Sequence, residues 1–447
     1  MCGKIMMSVG YESTPIDDSE FRYGRNMDVL DMTRHYEQFE YDFDLQEKLG
    51  IKAMRYHTRW NDVLVSVDQE NANGVYDWSP LVPIYDSIRR RGFELTADLC
   101  HHKVPRKIAR SFANPAFPEI FCDYAMQVQK QFPWIKKYSL INEAAVTALF
   151  HCTSQWGSYH WSDVFMNMAK ATSLASRALK AQDPEIDFVY PEPIDHDVVE
   201  DPNDPVITEK VEFLMQWGRF GMDDLLQGKI EDDHRFFQHL VEHGARPEKI
   251  LWFRDNPAES YVRGLDFYVH CFKVWRRDPN TGLIACTTNL NPPPLSEVIK
   301  QYRDHMPETR LAIGETNTRG TVRDRITFWV YTMTECLKAG LDSYAWWGLT
   351  DADCWGSGNY TTRVQSQQAD PVGIYTLSDH PEYGRLWTRQ PNEFSRLVEL
   401  FVKGQIDISD IPCFEPSGEL KEVLTAHATL HMPNRKLLAY NAITKVA

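Results

Sequence analysis

The sequence predicts an α/β protein built as one (β/α)8 TIM barrel, with long loops on the face formed by the carboxyl ends of its strands. Short apolar segments alternate along the chain with amphipathic stretches, which is the pattern of parallel strands joined by helices. Eight such segments can be counted, near residues 8, 53, 97, 138, 188, 265, 312 and 346. Polar side chains follow most of them, as expected where barrel strands open onto a functional face.

Helices are predicted between these strands from the spacing of apolar residues and from their end signals. Gly50, Gly92 and Gly340 follow the last turns of three of them, and Ser162 is the predicted N-cap of a fourth. The predicted helical ranges are 36–49, 81–91, 118–131, 163–181, 295–305, 322–338 and 391–401, with two or more helices within 207–243.

We expect a single catalytic domain over residues 1–447, because no linker, low-complexity segment or charge block divides the chain. The barrel is predicted to span about 5–405, followed by a C-terminal extension over 406–447. In that extension we expect a small strand addition, while the pattern of residues 420–432 fits a helix or a strand equally well. The polar stretches 147–161 and 355–379 each follow a strand, which predicts loops at the rim of the functional face.

The composition limits the classes of binding partner that are expected for this chain. The formal net charge is −15, from 48 basic and 63 acidic residues, which argues against nucleic acid or an acidic membrane. No apolar run approaches the roughly 18 residues of a membrane span, and the apolar run at the start is too short for a signal peptide. The nine cysteines form no CxxC pair, so we expect reduced thiols and a cytoplasmic location. The oligomeric state is not indicated.

Two stretches carry the predicted chemistry. Residues 138–146 read YSLINEAAV and residues 310–317 read RLAIGETN, so Glu143 and Glu315 each stand where an apolar strand ends. Two carboxyl groups at one barrel mouth favour glycoside hydrolysis with retention. In that reaction one group is protonated, the other is ionised, and they lie about 5–5.5 Å apart.

Other polar residues at strand ends suit this reaction. Arg55 and Tyr268 are expected to keep Glu315 anionic, and Asn142 to orient the sugar 2-hydroxyl beside Glu143. We expect no metal and no cofactor, because His101, His102 and Asp98 lack a further ligand at metal spacing. A cysteine nucleophile paired with His101 is disfavoured by the positions of the glutamates. The remaining strand-end candidates are Glu12, His57, Glu192, Asp266, Asn317, Trp347, Asp351 and Asp353.

Six segments, in order and at barrel spacing, match the motifs of one family. They are RYHTRW at 55–60, LCHHKVP at 99–105, LINEA at 140–144, GLDFY at 264–268, IGETN at 313–317 and WGLTDADCW at 347–355. These segments resemble the strand-end motifs of glycoside hydrolase family 1, the β-glucosidase group of clan A, over about residues 5–405. The chain is identified as a divergent member.

The resemblance implies roles for individual residues. Glu143 corresponds to the acid/base and Glu315 to the nucleophile, with Arg55 and Tyr268 supporting the nucleophile. The positions corresponding to the family's sugar-binding residues are Glu12, His101, Asn142, Asp266, Trp347, Asp353 and Trp355.

Most residues that depart from the family pattern stand at positions that bind the sugar in the family. The family's strand-eight glutamate is Cys354 here, its strand-one glutamine is Glu12, and its strand-six asparagine is Asp266; Ala144 replaces the proline after the acid/base. We expected unpaired carboxylates at Glu12, Asp266 and Asp353, which would favour an amino sugar or deoxysugar over a phosphorylated or acidic one.

The predicted function is therefore hydrolysis of a β-linked glycoside, small-molecule or oligosaccharide, through a covalent intermediate on Glu315. Two alternatives stay open. One is a transglycosidase, and the other is a non-catalytic sugar-binding barrel in polysaccharide or glycoconjugate biosynthesis. No G-x-G-x-x-G segment follows a strand, so a sugar-nucleotide reductase domain is not expected within this chain.

Overall fold

Eight parallel strands close into a barrel in the computed structural model, which describes residues 5–12, 28–152, 159–353 and 369–441. Each strand pairs with its neighbours in sequence order, and the eighth returns to pair with the first, Met6 beside Ser343. The (β/α)8 prediction is confirmed, and each of the eight predicted positions lies in a strand. The strands are β1 Met6–Tyr11, β2 Ala53–His57, β3 Glu94–Asp98, β4 Lys137–Ser139, β5 Asp187–Pro193, β6 Tyr261–Phe267, β7 Arg310–Thr316 and β8 Ser343–Trp347.

Helices pack around the barrel between the strands. The predicted helices at 295–305 and 322–338 have those bounds in the structure, and the others agree within a few residues. The described α-helices are Val29–Met32, His35–Leu49, Trp60–Val63, Val82–Arg91, Phe117–Gln131, Ala144–Phe150, Trp161–Gln182, Pro205–Gln216, Gly221–Leu226, Arg235–Glu242, Pro247–Asp255, Leu295–His305, Val322–Lys338, Glu393–Val402 and Lys421–His431. None of them is long and apolar enough to cross a membrane.

One predicted helix start is wrong. The helix Trp161–Gln182 begins before Ser162, and His160 occupies the N-cap position. The Trp161 ring packs on Phe165, with centroids 4.9 Å apart, so the first turn includes the aromatic residue. Ser162 lies inside that turn, where its hydroxyl is 3.0 Å from Nδ1 of His160.

Small sheets outside the barrel were not predicted, apart from the strand addition at the C-terminus. Cys413–Phe414 pairs with Leu437–Leu438 there, on either side of the helix Lys421–His431, which resolves the ambiguous stretch. A three-stranded sheet joins segments that follow β5 and β6, and two hairpins follow β2 and β8. Their strands are His196–Val199, Phe272–Arg277 and Ile284–Thr288, then Leu64–Asp68 with Asn73–Tyr76, and Thr376–His380 with Gly384–Gln390.

An irregularity in β7 bears directly on the site. Ile313 pairs with Leu265 and Glu315 pairs with Asp266, so β7 carries one extra residue, Gly314, at a bulge. A Cβ at Gly314 would lie 2.8 Å from the Cα of Gly264, which shows how closely β6 and β7 approach. The bulge brings Glu315 opposite Asp266 at the mouth of the barrel.

Candidate active site

Glu143 stands at the junction between β4 and the helix Ala144–Phe150. Its backbone is left-handed, with φ 42° and ψ 56°, a conformation that non-glycine residues adopt at a cost of about 1–2 kcal/mol. Neighbouring strand ends hold this junction. The Glu143 N–H donates to the Pro191 carbonyl at 3.0 Å, and the Asn142 N–H donates to the Cys100 carbonyl at 2.9 Å. The catalytic candidate is therefore carried by backbone that is bonded on both sides.

Glu315 is held by a cation and a phenol. Nη2 of Arg55 donates to Oε2 of Glu315, and the Tyr268 hydroxyl donates to Oε1. Only 6% of the Glu315 side chain is exposed. Because both carboxyl oxygens accept hydrogen bonds, one of them from a guanidinium, the orientation of the Glu315 side chain is fixed and a cation lies directly against it.

Arg55 also binds two other groups. Its Nε donates to Oε1 of Glu12, and its Nη1 donates to Oδ1 of Asn142 at 3.1 Å. The expectation that Glu12 is an unpaired carboxylate is therefore wrong, because the same guanidinium serves both Glu12 and Glu315. Burial raises the pKa of Glu12 to about 8, against the effect of Arg55 and with a further upward contribution from Glu315.

Glu143 has the opposite environment. Burial raises its pKa well above the ordinary value, and the nearby carboxyl groups of Asp266, Glu315 and Glu192 raise it further, while Arg55 opposes them. The described group within ion-pair distance is His102, whose Nε2 is 3.5 Å from Oε2 of Glu143. Since 11% of its side chain is exposed, Glu143 can hold a proton and still reach the cleft.

Two histidines follow β3 and face different partners. Nδ1 of His101 lies 2.8 Å from Oδ2 of Asp98, and burial lowers the pKa of His101 to about 3. Nδ1 of His102 lies 2.8 Å from the Thr147 hydroxyl, and burial lowers the pKa of this histidine as well. Both rings are therefore neutral near pH 7. His102 takes the position of the tryptophan in the family motif, and its contact with Glu143 was not predicted.

Asp266, unlike Glu12, has a buried carboxyl group with no hydrogen-bond partner among the described residues. It is fully buried and both of its oxygens lack a partner there. Burial and the charge of Glu315 raise its pKa well above the ordinary value. Asp353, by contrast, forms an ion pair with Arg385. Of the three carboxylates that we expected to be unpaired, Glu12 and Asp353 are corrected, and Asp266 alone fits the expectation.

The aromatic candidates lie at the end of β8. Trp347 is 6% exposed and packs in a small cluster with Val29, Ala352 and Val372. Its carbonyl accepts a hydrogen bond from Nδ2 of Asn317 at 2.6 Å. Trp355, together with Cys354, lies outside the described residues.

Glu192 is a further strand-end candidate, and it lies beside the segment that carries Glu143. The sequence placed it at a strand end without giving it a role. In the structure its Oε1 accepts the Ala145 N–H at 2.6 Å, beside Glu143. The signal that was available in the sequence was its place at the carboxyl end of β5. Asp351, another strand-end candidate, is instead paired with Arg325 at 2.9 Å.

In the described part of the chain, no group of three or more His, Cys, Asp or Glu side chains is arranged to hold a metal ion.

Together, the fold and the site define the class: a (β/α)8 barrel whose mouth carries two buried carboxyl groups in opposed electrostatic environments.

Comparisons with known proteins agree with this class. The family model for glycosyl hydrolase family 1 matches residues 19–188, a range that contains Arg55, His101 and Glu143. A β-glucosidase from Thermotoga maritima in complex with glucoimidazole has 16% identity and a TM-score of 0.71, and the alignment covers 91% of this chain and 100% of that one. The same enzyme with cyclophellitol gives 16% identity, a TM-score of 0.71, and coverage of 90% and 98%.

At this level of identity the likeness between the structures concerns the fold. The model match over residues 19–188, together with the strand-end motifs, supports membership of glycosyl hydrolase family 1.

Proposed function

We propose that this protein is a retaining β-glycosidase that hydrolyses β-linked glycosides. The observation that carries the proposal is the contrast between Glu315 and Glu143. Glu315 accepts hydrogen bonds from the Arg55 guanidinium and the Tyr268 hydroxyl, so a cation and a donor face its two oxygens, whereas burial and neighbouring carboxyl groups raise the pKa of Glu143. A pair of carboxyl groups whose environments separate their protonation states is what the double-displacement reaction requires.

In the first step, a carboxylate oxygen of Glu315 attacks the anomeric carbon of the substrate. The bond from that carbon to the leaving oxygen breaks, and Glu143 transfers its proton to the departing oxygen. The product is a glycosyl ester on Glu315, and Glu143 is left as a carboxylate.

In the second step, the Glu143 carboxylate accepts a proton from water as the water oxygen attacks the anomeric carbon. The ester bond to Glu315 breaks, so that the sugar leaves with retained configuration and both carboxyl groups return to their starting states. Arg55 and Tyr268 stabilise the negative charge that returns to Glu315, because their donors already point at its oxygens.

We assign sugar binding to His101, Asn142 and Trp347 because they stand at the positions of the family's sugar-binding residues in the strand-end motifs. Membership of the family supports a glycoside as the substrate, and the similar β-glucosidase was solved with glucoimidazole and cyclophellitol. Among the sugar classes, an amino sugar or deoxysugar is now supported by Asp266 alone, since Glu12 and Asp353 are paired; with its raised pKa, Asp266 attracts an ammonium group only when it is ionised. An aryl β-glycoside panel in which 6-phosphoglycosides react faster than neutral or amino glycosides would contradict that preference.

The proposed function is tested by trapping the intermediate. A 2-fluoro β-glycoside with an activated leaving group should add one sugar to the protein, and peptide mass mapping should place it on Glu315. The Glu315→Gln variant is the control and should not be labelled. Labelling of another residue, or turnover of aryl glycosides by the control at the wild-type rate, would overturn the proposal.

The same experiment separates the alternatives. With an added alcohol acceptor, a transglycosidase forms the alkyl glycoside in preference to the free sugar. A non-catalytic sugar-binding barrel binds glycosides in calorimetry, releases no aglycone and is not labelled.

A further inference from the structure

Glu192 lies at the end of β5, and its carboxyl group is turned into the protein. It is 4% exposed, and its Oε1 accepts two hydrogen bonds, from the Ala145 N–H at 2.6 Å and from the Tyr190 hydroxyl at 2.7 Å. A carboxylate that only made the rim of the barrel hydrophilic would face solvent instead. Because the Glu192 carboxyl group is buried, another role has to account for its position.

Its contact with Ala145 fastens the backbone that carries Glu143. The Pro191 carbonyl accepts the Glu143 N–H at 3.0 Å, and Glu192 accepts the N–H two residues further on. The end of β5 therefore binds the segment 143–145 at two points. Glu143 itself has a left-handed backbone, with φ 42°, which an L-residue keeps only where its surroundings hold it.

We propose that Glu192 is a positioning residue for Glu143: its carboxyl oxygen fixes the backbone on which Glu143 stands, and its negative charge favours the protonated form of that neighbour. This inference rests on the proposed function, in which Glu143 is the acid/base. It adds a residue that the family motifs quoted above do not contain.

The charges around Glu192 make the second part of this role possible. Burial raises its pKa to about 7, while Arg263, the Tyr190 hydroxyl and the Ala145 N–H oppose that effect and Asp223 adds to it. Arg263 does not neutralise the carboxyl group by direct contact in the described structure. Its Nε is bonded to Asp223 at 2.9 Å, and its Nη1 is bonded to the main-chain carbonyl of Glu192 at 2.7 Å.

Several groups besides Glu192 lie near Glu143 and shift its pKa. Asp266, Glu315 and Glu192 favour the protonated form of Glu143, and Arg55 opposes them. Removing the charge of Glu192 is therefore expected to change the titration of Glu143 without abolishing it. The facing titratable groups are Arg55 at the end of β2, His102 after β3, Asp266, Tyr268 and Cys271 at and after β6, and Glu315 in β7.

Two variants separate the two parts of the role. In Glu192→Gln the amide oxygen still accepts both hydrogen bonds, while the charge is gone. In Glu192→Ala both the bonds and the charge are lost. Glu185→Gln is the matched control, since Glu185 lies seven residues earlier and 81% of its side chain is exposed.

The charge effect is measured directly by infrared titration of the protonated carboxyl band of Glu143, identified as the band lost in Glu143→Gln. We expect this band to disappear at lower pH in Glu192→Gln than in the wild type and in Glu185→Gln. An unchanged titration of Glu143 in Glu192→Gln would overturn this part of the inference. The measurement does not depend on turnover, so it remains decisive if the proposed function fails in the trapping experiment.

The positioning effect is measured with two aryl β-glycosides, one with a poor leaving group and one with an activated one. Acid assistance matters chiefly for the poor leaving group, so kcat/KM for that substrate should fall at least about tenfold in Glu192→Ala and far less for the activated substrate. An equal loss on both substrates would indicate general structural damage and overturn the positioning role. If Glu192→Ala does not fold, Glu192→Asp takes its place, because it keeps the charge while its shorter side chain draws the carboxyl group away from the Ala145 N–H. The same selective loss on the poor leaving group is then expected, and equal rates with the wild type on both substrates would overturn the positioning role.

Discussion

Arg55 and Glu315 form an ion pair across the mouth of the barrel, although they lie on β2 and β7 and are 260 positions apart in the chain. These strands are not neighbours, since β1 and β8 lie between them in the closed sheet. The charge of the proposed nucleophile is therefore balanced only when the barrel has closed.

The first prediction concerns the two glutamates. Glu315→Gln removes the nucleophile, and Glu143→Gln removes the acid/base while nearly preserving shape, so each variant should lose nearly all turnover of an aryl β-glycoside with a poor leaving group. With an activated leaving group, Glu143→Gln should still be labelled by the 2-fluoro sugar, because the first step then needs little acid assistance. Steady-state rates and mass spectra check both statements. Turnover like that of the wild type in either variant would refute the assignment.

The second prediction concerns Arg55→Met. This change leaves two buried carboxyl groups, Glu12 and Glu315, without their shared cation, which is expected to lower the free energy of unfolding by about 3–5 kcal/mol. We also expect kcat/KM to fall roughly 10²-fold or more, because the orientation and charge of Glu315 are lost. Denaturant unfolding and steady-state kinetics provide the measurements.

Arg90→Met is the matched control for that experiment. Arg90 is 63% exposed and pairs with Glu40 at the surface, where ion pairs contribute about 0–1 kcal/mol. A loss of stability in Arg55→Met as small as in the control would contradict the buried network described above.

The third prediction concerns pH. The pKa of Glu12 is about 8 in the folded protein against 4.5 for the unperturbed group, so the folded state holds a proton that the unfolded state releases between these values. The contribution of Glu12 to the free energy of unfolding is therefore complete below about pH 4.5 and is lost as pH rises toward 8, at up to about 1.4 kcal/mol per pH unit. Denaturant unfolding across this window should show the decline.

Glu12→Gln isolates that contribution. Glu192, whose pKa is raised to about 7, and Glu143, whose pKa is also raised, titrate in the same direction in both proteins, so the difference between the two curves belongs to Glu12. We expect a shallower decline with pH in the variant. Parallel curves would show that Glu12 does not carry a raised pKa.

The fourth prediction concerns Gly314→Ala. The added Cβ would lie 2.5 Å from Oδ1 of Asp266 and 2.8 Å from the Cα of Gly264, and backbone at that distance cannot yield without moving a strand. We expect a loss of about 1–3 kcal/mol in the free energy of unfolding, with a fall in activity because the bulge that presents Glu315 must shift. Gly282→Ala is the control, since no atom lies within 4 Å of its Cβ and it reports only the strain of a positive φ. The control should retain full activity.

The barrel was predictable because its strands are short and apolar and are separated by stretches long enough for a helix, so each of the eight left a separate signal. The convergence of Glu143 and Glu315 followed from the rule that parallel strands open on one face. The small sheets after β2, β5, β6 and β8 were not predicted, because their strands are short and consist mostly of exposed or half-buried residues.

Which carboxylates form ion pairs could not be predicted from the sequence either. Glu12, Asp266 and Asp353 read alike as strand-end carboxylates, and only the positions of Arg55 and Arg385 distinguish the paired ones from the unpaired one. The contact between His102 and Glu143 and the bond from Ala145 to Glu192 both join elements at neighbouring strand ends. Such contacts depend on side-chain directions that apolar periodicity does not record.

The guanidinium that bridges Glu12 and Glu315 has a consequence for how such a site changes over evolutionary time or in the laboratory. A mutation at Glu12 that is selected for a new sugar also changes the surroundings of Arg55, which holds the proposed nucleophile, so substrate preference and reactivity are expected to change together. Directed evolution of a new specificity in this barrel should accordingly accumulate paired changes at residues 12 and 55. Single replacements at either position should lower the turnover rate as they change the substrate preference.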